Sequence, residues 1–385
     1  MYKWIVIGGG VQGCSVASRL LIEKKVTTEE LLIIDPHAEP LEMWQRITSK
    51  IGMQYLRSPV VHHLEADPYS LKKFAKLHDF TQPFKGKYGR PRLDLFNDHS
   101  LNVVNKTGVR DSWRQGLVNK LAKHSIGWEV SVQDGQNFYG ERVILAIGVN
   151  NTPHFPTWAQ ELQDNERMNH IFDLKKDLPN SGNIIVVGGG MTAAQLASNL
   201  SKQQDVNSIT LVKRHPFRIH RFDSDPGWLG PKFLTSFDKL TNYKKRREVI
   251  QEARYRGSIT KDVYINIKKQ INTGKLHVYN GGVVSAKLEG QCIQLLTSQD
   301  EVLSGDAVLL STGAEPSLPG REWLKEAIDH IRLPCAPCGF PIVSKSLEWK
   351  NGLFVTGALA ELEIGPVSRN IAGARKATER ILQTA

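Results

Sequence analysis

The feature that most constrains this chain is a glycine loop set between an apolar strand and a helical pattern, close to its start. Lys3–Ile7 reads as a short strand, Gly8-Gly9-Gly10-Val11-Gln12-Gly13 follows, and Cys14–Glu23 alternates as a helix. Leu31–Ile34 is the next strand, and Asp35 ends it. Strand, G-x-G-x-x-G, helix, strand, acid is the order of a dinucleotide-binding unit. Gly8 permits the tight turn, Gly10 lets a pyrophosphate approach the backbone, and Gly13 lets the helix pack close to the strand. The helix start offers free N–H groups and the positive end of its dipole to the phosphates. Asp35 is placed to accept hydrogen bonds from ribose hydroxyls.

A second copy begins at Asn183. Ile184–Val187 is the strand, Gly188-Gly189-Gly190-Met191-Thr192-Ala193 the loop, and Ala194–Leu200 the helix. The loop is the G-x-G-x-x-A variant, carried by Gly188, Gly190 and Ala193. The following strand, Ile209–Val212, ends in Lys213-Arg214-His215 rather than in an acid. An acid there favours the 2′-hydroxyl of NAD, and cations favour the 2′-phosphate of NADP. Two such units with different endings predict two different dinucleotides, FAD on the first and NADPH on the second. The expected fold class is therefore α/β with two Rossmann-like dinucleotide-binding domains.

Composition narrows the alternatives. A chain of 385 residues accommodates two to three domains. Its net charge of +11 is dispersed. The densest run, Lys244-Lys245-Arg246-Arg247, reads as the solvated face of one helix. No helix-turn-helix, zinc-finger or RNP pattern accompanies the charge, so nucleic acid is not an expected partner. No apolar run approaches the ~18–20 residues of a membrane span. The N-terminal residues lack a charged n-region and a cleavage site, and four cysteines are too few for a disulfide framework. The expectation is a cytoplasmic protein with no metal site.

Three further segments bring the chain to resemble the two-dinucleotide-binding-domain flavoproteins. Val143–Gly148 followed by Pro153 is similar to the strand and turn where such chains leave the FAD domain, and Ala307–Gly313 to the strand leaving the NADPH domain. Gly352–Gly357 is similar to the opening of the last FAD-contacting segment, and Gly365-Pro366 starts the closing helix. The resemblance implies an NADPH domain inserted in the FAD domain. The FAD domain would take 1–160 and 318–385, and the NADPH domain 165–315, with a helical insertion near 228–272. It implies cofactor contacts at Gly148, Gly313 and Gly357. The family has Asp after that last glycine, where this chain has Ala358, with Glu361 and Glu363 nearby.

Within these flavoproteins the chain resembles the class B-like monooxygenases of the ornithine/lysine N-hydroxylase type. Gly52–Pro59 with Asp67–Leu71, Tyr88–Phe96 and Phe233–Tyr264 are similar to their substrate-side segments and helical insertion. That likeness implies NADPH-driven monooxygenation of a small nucleophile such as an amine, through an O2 adduct at flavin C4a. It also implies active-site roles for Gln54, Arg57 and Asn370. The chain departs from that type in the first loop, Gly10-Val11-Gln12-Gly13, where that type has Gly-Pro followed by a small or polar residue, and in the insertion, where Asp223–Trp228 replaces the asparagines that hold an amino-acid substrate. His62-His63 could assist proton transfer, and Arg90 and Arg92 could clamp a phosphate. Two other functions stay open: a thiol–disulfide reductase using Cys335 and Cys338, and a nucleotide-binding regulatory protein without turnover. The CxxC lies past both nucleotide units in a proline-dense stretch, which argues for a loop. The partners expected are a small-molecule substrate and O2, with homo-oligomerisation left open.

Overall fold

Each glycine loop stands in its own sheet, the first mixed with a parallel centre and the second parallel throughout. The structure is a computed structural model, and it describes residues 1–384. The first sheet runs Glu348–Lys350, Leu353–Val355, Asn137–Leu145, Tyr2–Ile7, Leu31–Asp35, Trp113–Gln115 in lateral order. Ile5 lies opposite both Leu32 and Val143, and Phe354 opposite Ile144. Trp4–Ile7, Leu31–Ile34 and Val143–Leu145 are buried. Unbroken apolar runs are what parallel strands covered on both faces require. The helices Val11–Ile22, Leu93–Thr107 and Ile371–Leu382 pack together, and Ser15 Oγ meets Thr378 Oγ1 at 3.3 Å between the first and last. The antiparallel strands Val118–His124 and Gly127–Val132 extend from Asn137–Leu145.

The second sheet runs Leu276–Asn280, Val206–Lys213, Gly182–Val187, Ala307–Leu310, Met168–His170, all neighbours parallel. The helices Met191–Leu200 and Lys261–Asn272 contribute Ala194, Leu196 and Ile267 to one core, shared with Ile184 and Val186. The antiparallel strands Val283–Glu289, Cys292–Thr297 and Val302–Gly305 bring Ile293 and Leu295 against Ile185 and Val308 in another.

The chain crosses between the units twice, and the two crossings pair with each other. Pro153 bridges Ala314, His154 N donates to Gly313 O at 2.9 Å, and Glu315 N donates to Thr152 O at 2.9 Å. The His154 ring and the Glu315 carboxylate meet at 2.8 Å.

The stretch 228–272, expected as one insertion of the second unit, divides. Trp228, Phe237 of the helix Pro231–Asp238 and Ile250 of the helix Tyr243–Ala253 join the core of the first unit. Lys261–Asn272 stays with the second. This division corrects the reading of Lys244–Arg247 as a solvated face. Lys244 and Lys245 are exposed, but Arg246 is buried and Arg247 half-buried, because the face carrying Ile250 docks on the first unit and takes both arginines inward. Among the described residues no helix is long and apolar enough to cross a membrane.

Candidate functional site

At the first loop, Gly8 has φ +104°, and a Cβ there would sit 2.7 Å from the Ala146 carbonyl oxygen. A Cβ on Gly13 would overlap the Gly8 carbonyl. At Gly10 the same atom would meet nothing within 4 Å. Two glycines close the turn and the third faces open space. The helix Val11–Ile22 begins at Gly10 with no side-chain cap and no acid in its first turn, so its N–H groups stay available to an anion. Asp35 accepts from Gly9 N at 2.7 Å and from His37 N at 2.9 Å, and its Oδ1 lies 2.8 Å from His37 Nδ1. That last hydrogen bond raises the His37 pKa. The acid thus braces the loop it was expected to serve.

The second loop repeats the construction. A Cβ on Gly188 would lie 2.7 Å from the Ser311 carbonyl oxygen, as Gly8 lies against Ala146. Ala193 is fully buried, and the helix Met191–Leu200 starts uncapped at Gly190. Gly148 and Gly313, just past the strands that flank the two loops, have open space where a side chain would stand.

Three residues not weighed as site residues from sequence complete these loops. Gln12 Nε2 donates to Ser368 O at 3.1 Å and to Asn370 O at 3.3 Å, and a Cβ on Gly357 would touch Gln12 Cγ at 3.3 Å. One side chain therefore ties the first loop to the last segment. Its Oε1 is buried without a partner, an orphaned acceptor that a donor on a bound dinucleotide would satisfy. The Trp113 ring covers Gly9, and the His215 ring lies 3.1 Å from where a Cβ of Gly189 would be. No sequence signal pointed to Gln12, a polar residue where the family pattern takes one. Nothing local marked the other two.

The expected cations of the second strand part company. Lys213 is only 3% exposed; its Nζ donates to His215 O at 2.9 Å and to Asn280 Oδ1, and lies 4.3 Å from the centroid of the Phe217 ring. Burial lowers its pKa. It is a strut inside the unit, which corrects its assignment to a 2′-phosphate. Arg214 is exposed, and so is Arg218 nearby.

The three expected catalytic residues also separate. Arg57 spends its guanidinium on the loop that follows Ile219. Its Nη1 reaches Asp223 Oδ1 at 2.7 Å, its Nη2 donates to His220 O, Phe222 O and Ser258 Oγ at 2.8, 2.7 and 2.9 Å, and its Nε to Arg221 O at 3.3 Å. It is a staple between units, a correction to its catalytic reading. Gln54 is exposed in a cleft where Gly52, Tyr55 and Arg90 face Asn199, Lys202 and Asn266 of the second unit. Asn370 is the N-cap residue of Ile371–Leu382, without a side-chain cap bond, and its carbonyl is held by Gln12.

Other candidates serve structure. Arg90 Nη1 binds Asp262 Oδ1 at 2.8 Å and its Nε the Leu56 carbonyl at 2.7 Å, while Arg92 pairs with Asp94. Both guanidinium groups are thus engaged within the chain. The His62 and His63 pKa values are pushed down to about 4, each mainly by burial. His63 packs edge-on to His99 with ring centroids 5.0 Å apart. Cys335 and Cys338 are free thiols in a turn where Cys335 bridges Pro341 and Ala336 N donates to Phe340 O at 2.9 Å. Among the described residues no helix begins between Ile331 and Gly357, and burial raises the Cys335 pKa, while the Arg247 guanidinium lies beside the Cys338 thiol. Among the described residues no cluster of metal-ligating side chains occurs.

Glu361 and Glu363 are buried and turned from the first loop toward the arginines. Glu363 Oε2 accepts from Arg246 at 2.8 Å. Glu361 is held by Arg369 at 2.7 and 2.9 Å, by Arg247, and by Arg254 at 3.9 Å.

Two family models match the chain. One, of FAD-NAD(P)-binding proteins, covers residues 5–150. The other, of L-lysine 6-monooxygenase/L-ornithine 5-monooxygenase, covers residues 117–313, more than half of the chain. Among curated proteins, the chain is 25% identical over 209 residues to the uncharacterized oxidoreductase CzcO of Bacillus subtilis (strain 168), a match spanning 53% of either chain. The chain thus spans about half the length of that curated relative. Among solved structures, the Kutzneria sp. 744 ornithine N-hydroxylase KtzI superposes with a TM-score of 0.79 at 16% identity, covering 100% of this chain and 98% of that one. The Pseudomonas aeruginosa ornithine hydroxylase PvdA does so with a TM-score of 0.78 at 17% identity, over 100% and 98%. At those identities the structural likeness is one of fold. The family model adds what fold alone does not, because it runs from the first unit through the crossing and the whole second dinucleotide unit: this chain belongs to the L-lysine 6-monooxygenase/L-ornithine 5-monooxygenase family.

Proposed function

We propose that this protein is an FAD- and NADPH-dependent monooxygenase that hydroxylates the nitrogen of a small amine. The observation that carries the reading is the pair of uncapped helix starts at Gly10 and Gly190, each behind a closed glycine turn, in one chain of this family. The first start, with Gly8, Gly13 and Asp35, would hold the FAD pyrophosphate and ribose. Gln12, Gly357 and Asn370 would hold the flavin end, with the orphaned Gln12 Oε1 taking one of its donors. The second start, with Gly188 and Ala193, would hold NADPH, and exposed Arg214 and Arg218 would meet its 2′-phosphate beside His215. Gly148 and Gly313 would leave room where each dinucleotide passes its sheet edge. When bound, the flavin supplies the two-electron chemistry between NADPH and O2. In sum, amine, O2, NADPH and a proton give hydroxylamine, water and NADP⁺. The chain's part is to seat both dinucleotides, orient the amine and exclude water. A cytoplasmic setting, where NADPH is made, fits this chemistry.

The test is direct. Purified protein should be yellow, should lose that colour under anaerobic NADPH faster than under NADH, and should convert an amine to a product heavier by one oxygen when O2 is admitted. A colourless protein that cannot be reconstituted with FAD refutes the reading.

A further inference from the structure

The buried cluster around Glu361 carries more positive charge than the fold needs. Arg247, Arg254 and Arg369 surround one carboxylate, so two positive charges are left over. Glu361 is 1% exposed, whereas the three arginine side chains are 14%, 21% and 24% exposed. The Arg254 side chain makes no hydrogen bond among the described residues, its one ion contact being the 3.9 Å approach to Glu361. Nε and Nη2 of Arg247 are closed to water without an acceptor, beside the Cys338 thiol. The adjacent Arg57–Asp223 pair is already neutral. Half-buried guanidinium groups without acceptors are costly, and the cost falls when an anion arrives.

The cluster's position says which anion. Arg369 adjoins Asn370, whose carbonyl is held by Gln12 of the first loop. Arg254 stands three residues before Gly257, whose Cα lies 3.5 Å from where a Cβ of Gly190 would be. The arginines therefore bridge the two dinucleotide loops, the place where flavin and nicotinamide must meet. Both pyrophosphates have their own helix starts, at Gly10 and Gly190, so the surplus is not needed for them.

Resting on the monooxygenase reading, we propose that Arg254, with Arg369 and Arg247, seats the carboxylates of the substrate. The amine that is hydroxylated would then carry two acid groups, an aminodicarboxylate, rather than a second ammonium. A diamine such as cadaverine would bring positive charge to a site already in surplus.

The experiment uses the FAD-loaded protein. Succinate, a dicarboxylate with no amine to oxidise, is titrated by calorimetry and by the flavin absorption band. L-Aspartate and L-glutamate are then compared with L-ornithine, L-lysine and cadaverine for hydroxylamine formed per NADPH consumed. Succinate should bind, should compete with L-aspartate or L-glutamate, and only those acidic amines should couple NADPH to hydroxylamine. Arg254→Gln should weaken succinate at least tenfold and leave the NADPH constant for flavin reduction within about twofold. Arg254→Lys, which keeps the charge, should recover part of the succinate affinity and shows that the site is folded. Absence of succinate binding to the parent protein, or coupled turnover of the diamine, overturns the proposal. So does an Arg254→Gln protein in which only the NADPH constant moves, since that assigns the arginine to the dinucleotide. If NADPH fails to reduce the flavin at all, the monooxygenase reading falls, while the calorimetric titration still decides the anion seat.

Discussion

Replacing Arg57 by Ala should loosen a loop rather than remove a catalyst. The side chain holds the carbonyls of His220 and Phe222 at 2.8 and 2.7 Å and the Asp223 carboxylate at 2.7 Å, linking the Met53–Arg57 wall of the first unit to the turn at 220–223. Each lost carbonyl bond is worth about 1 kcal/mol net. Asp223 is 44% exposed and rehydrates when its partner leaves, so that pair adds at most about 1 kcal/mol. The total is roughly 2–3 kcal/mol of local stability, with the contacts to Arg221 O and Ser258 Oγ as minor additions. Two backbone amides report on the turn, His220 N on Ile259 O and Tyr255 N on Asp223 O. At about 1.4 kcal/mol per decade their hydrogen exchange should accelerate about 30- to 150-fold, with amides of the Val11–Ile22 helix unchanged. Arg57→Lys, a single ammonium in place of a fork, should fall between. Because Tyr255 adjoins Arg254, the Ala variant should also release more NADPH-derived electrons as hydrogen peroxide. The reasoning is refuted if Arg57→Ala slows turnover while exchange at 220 and 255 stays at the parent rate, for then Arg57 acts on the chemistry itself.

Gly10→Val should abolish bound FAD, because its side chain would enter the open space at the helix start, and an absorption spectrum after desalting reads this directly. Arg214→Glu should raise the NADPH constant by roughly tenfold or more and leave that for NADH nearly unchanged, from 1–3 kcal/mol per charged contact. Lys213→Met should instead lower thermal stability without changing the NADPH/NADH ratio, since its ammonium serves His215 O and Asn280. Acid should weaken the first unit through His63 and His99, whose pKa values are pushed down to about 4, chiefly by burial. Their folded values lie below the ordinary 6.5, so the unfolded chain binds protons first. Stability is full above about pH 6.5 and declines as pH falls toward 4. His99→Gln should flatten that decline in denaturation followed between pH 7 and 4.5, and an unaltered slope would clear these histidines.

The sequence by itself determined the two loops and what they are for. A tight turn, an open approach at Gly10 and a helix start are all built within about thirty consecutive residues, so their chemistry is local. The strand exits at Gly148 and Gly313 were legible through the resemblance of their segments to the family's exit strands, and each lies just past a buried apolar run. What a charged side chain does was not legible. Arg57 reads as an active-site cation until residues 163 to 166 positions away surround it with acceptors. Arg246 reads as solvated until Glu363, 117 positions on, is folded against it. Lys213 reads as a phosphate ligand until Asn280 comes alongside in the neighbouring strand. Gln12 is an unremarked loop residue until the last segment, 356 positions away, lays the Ser368 carbonyl on its amide. The field at a charge is set by whichever groups lie within a few ångströms, and only the tertiary fold chooses those groups from distant parts of the chain.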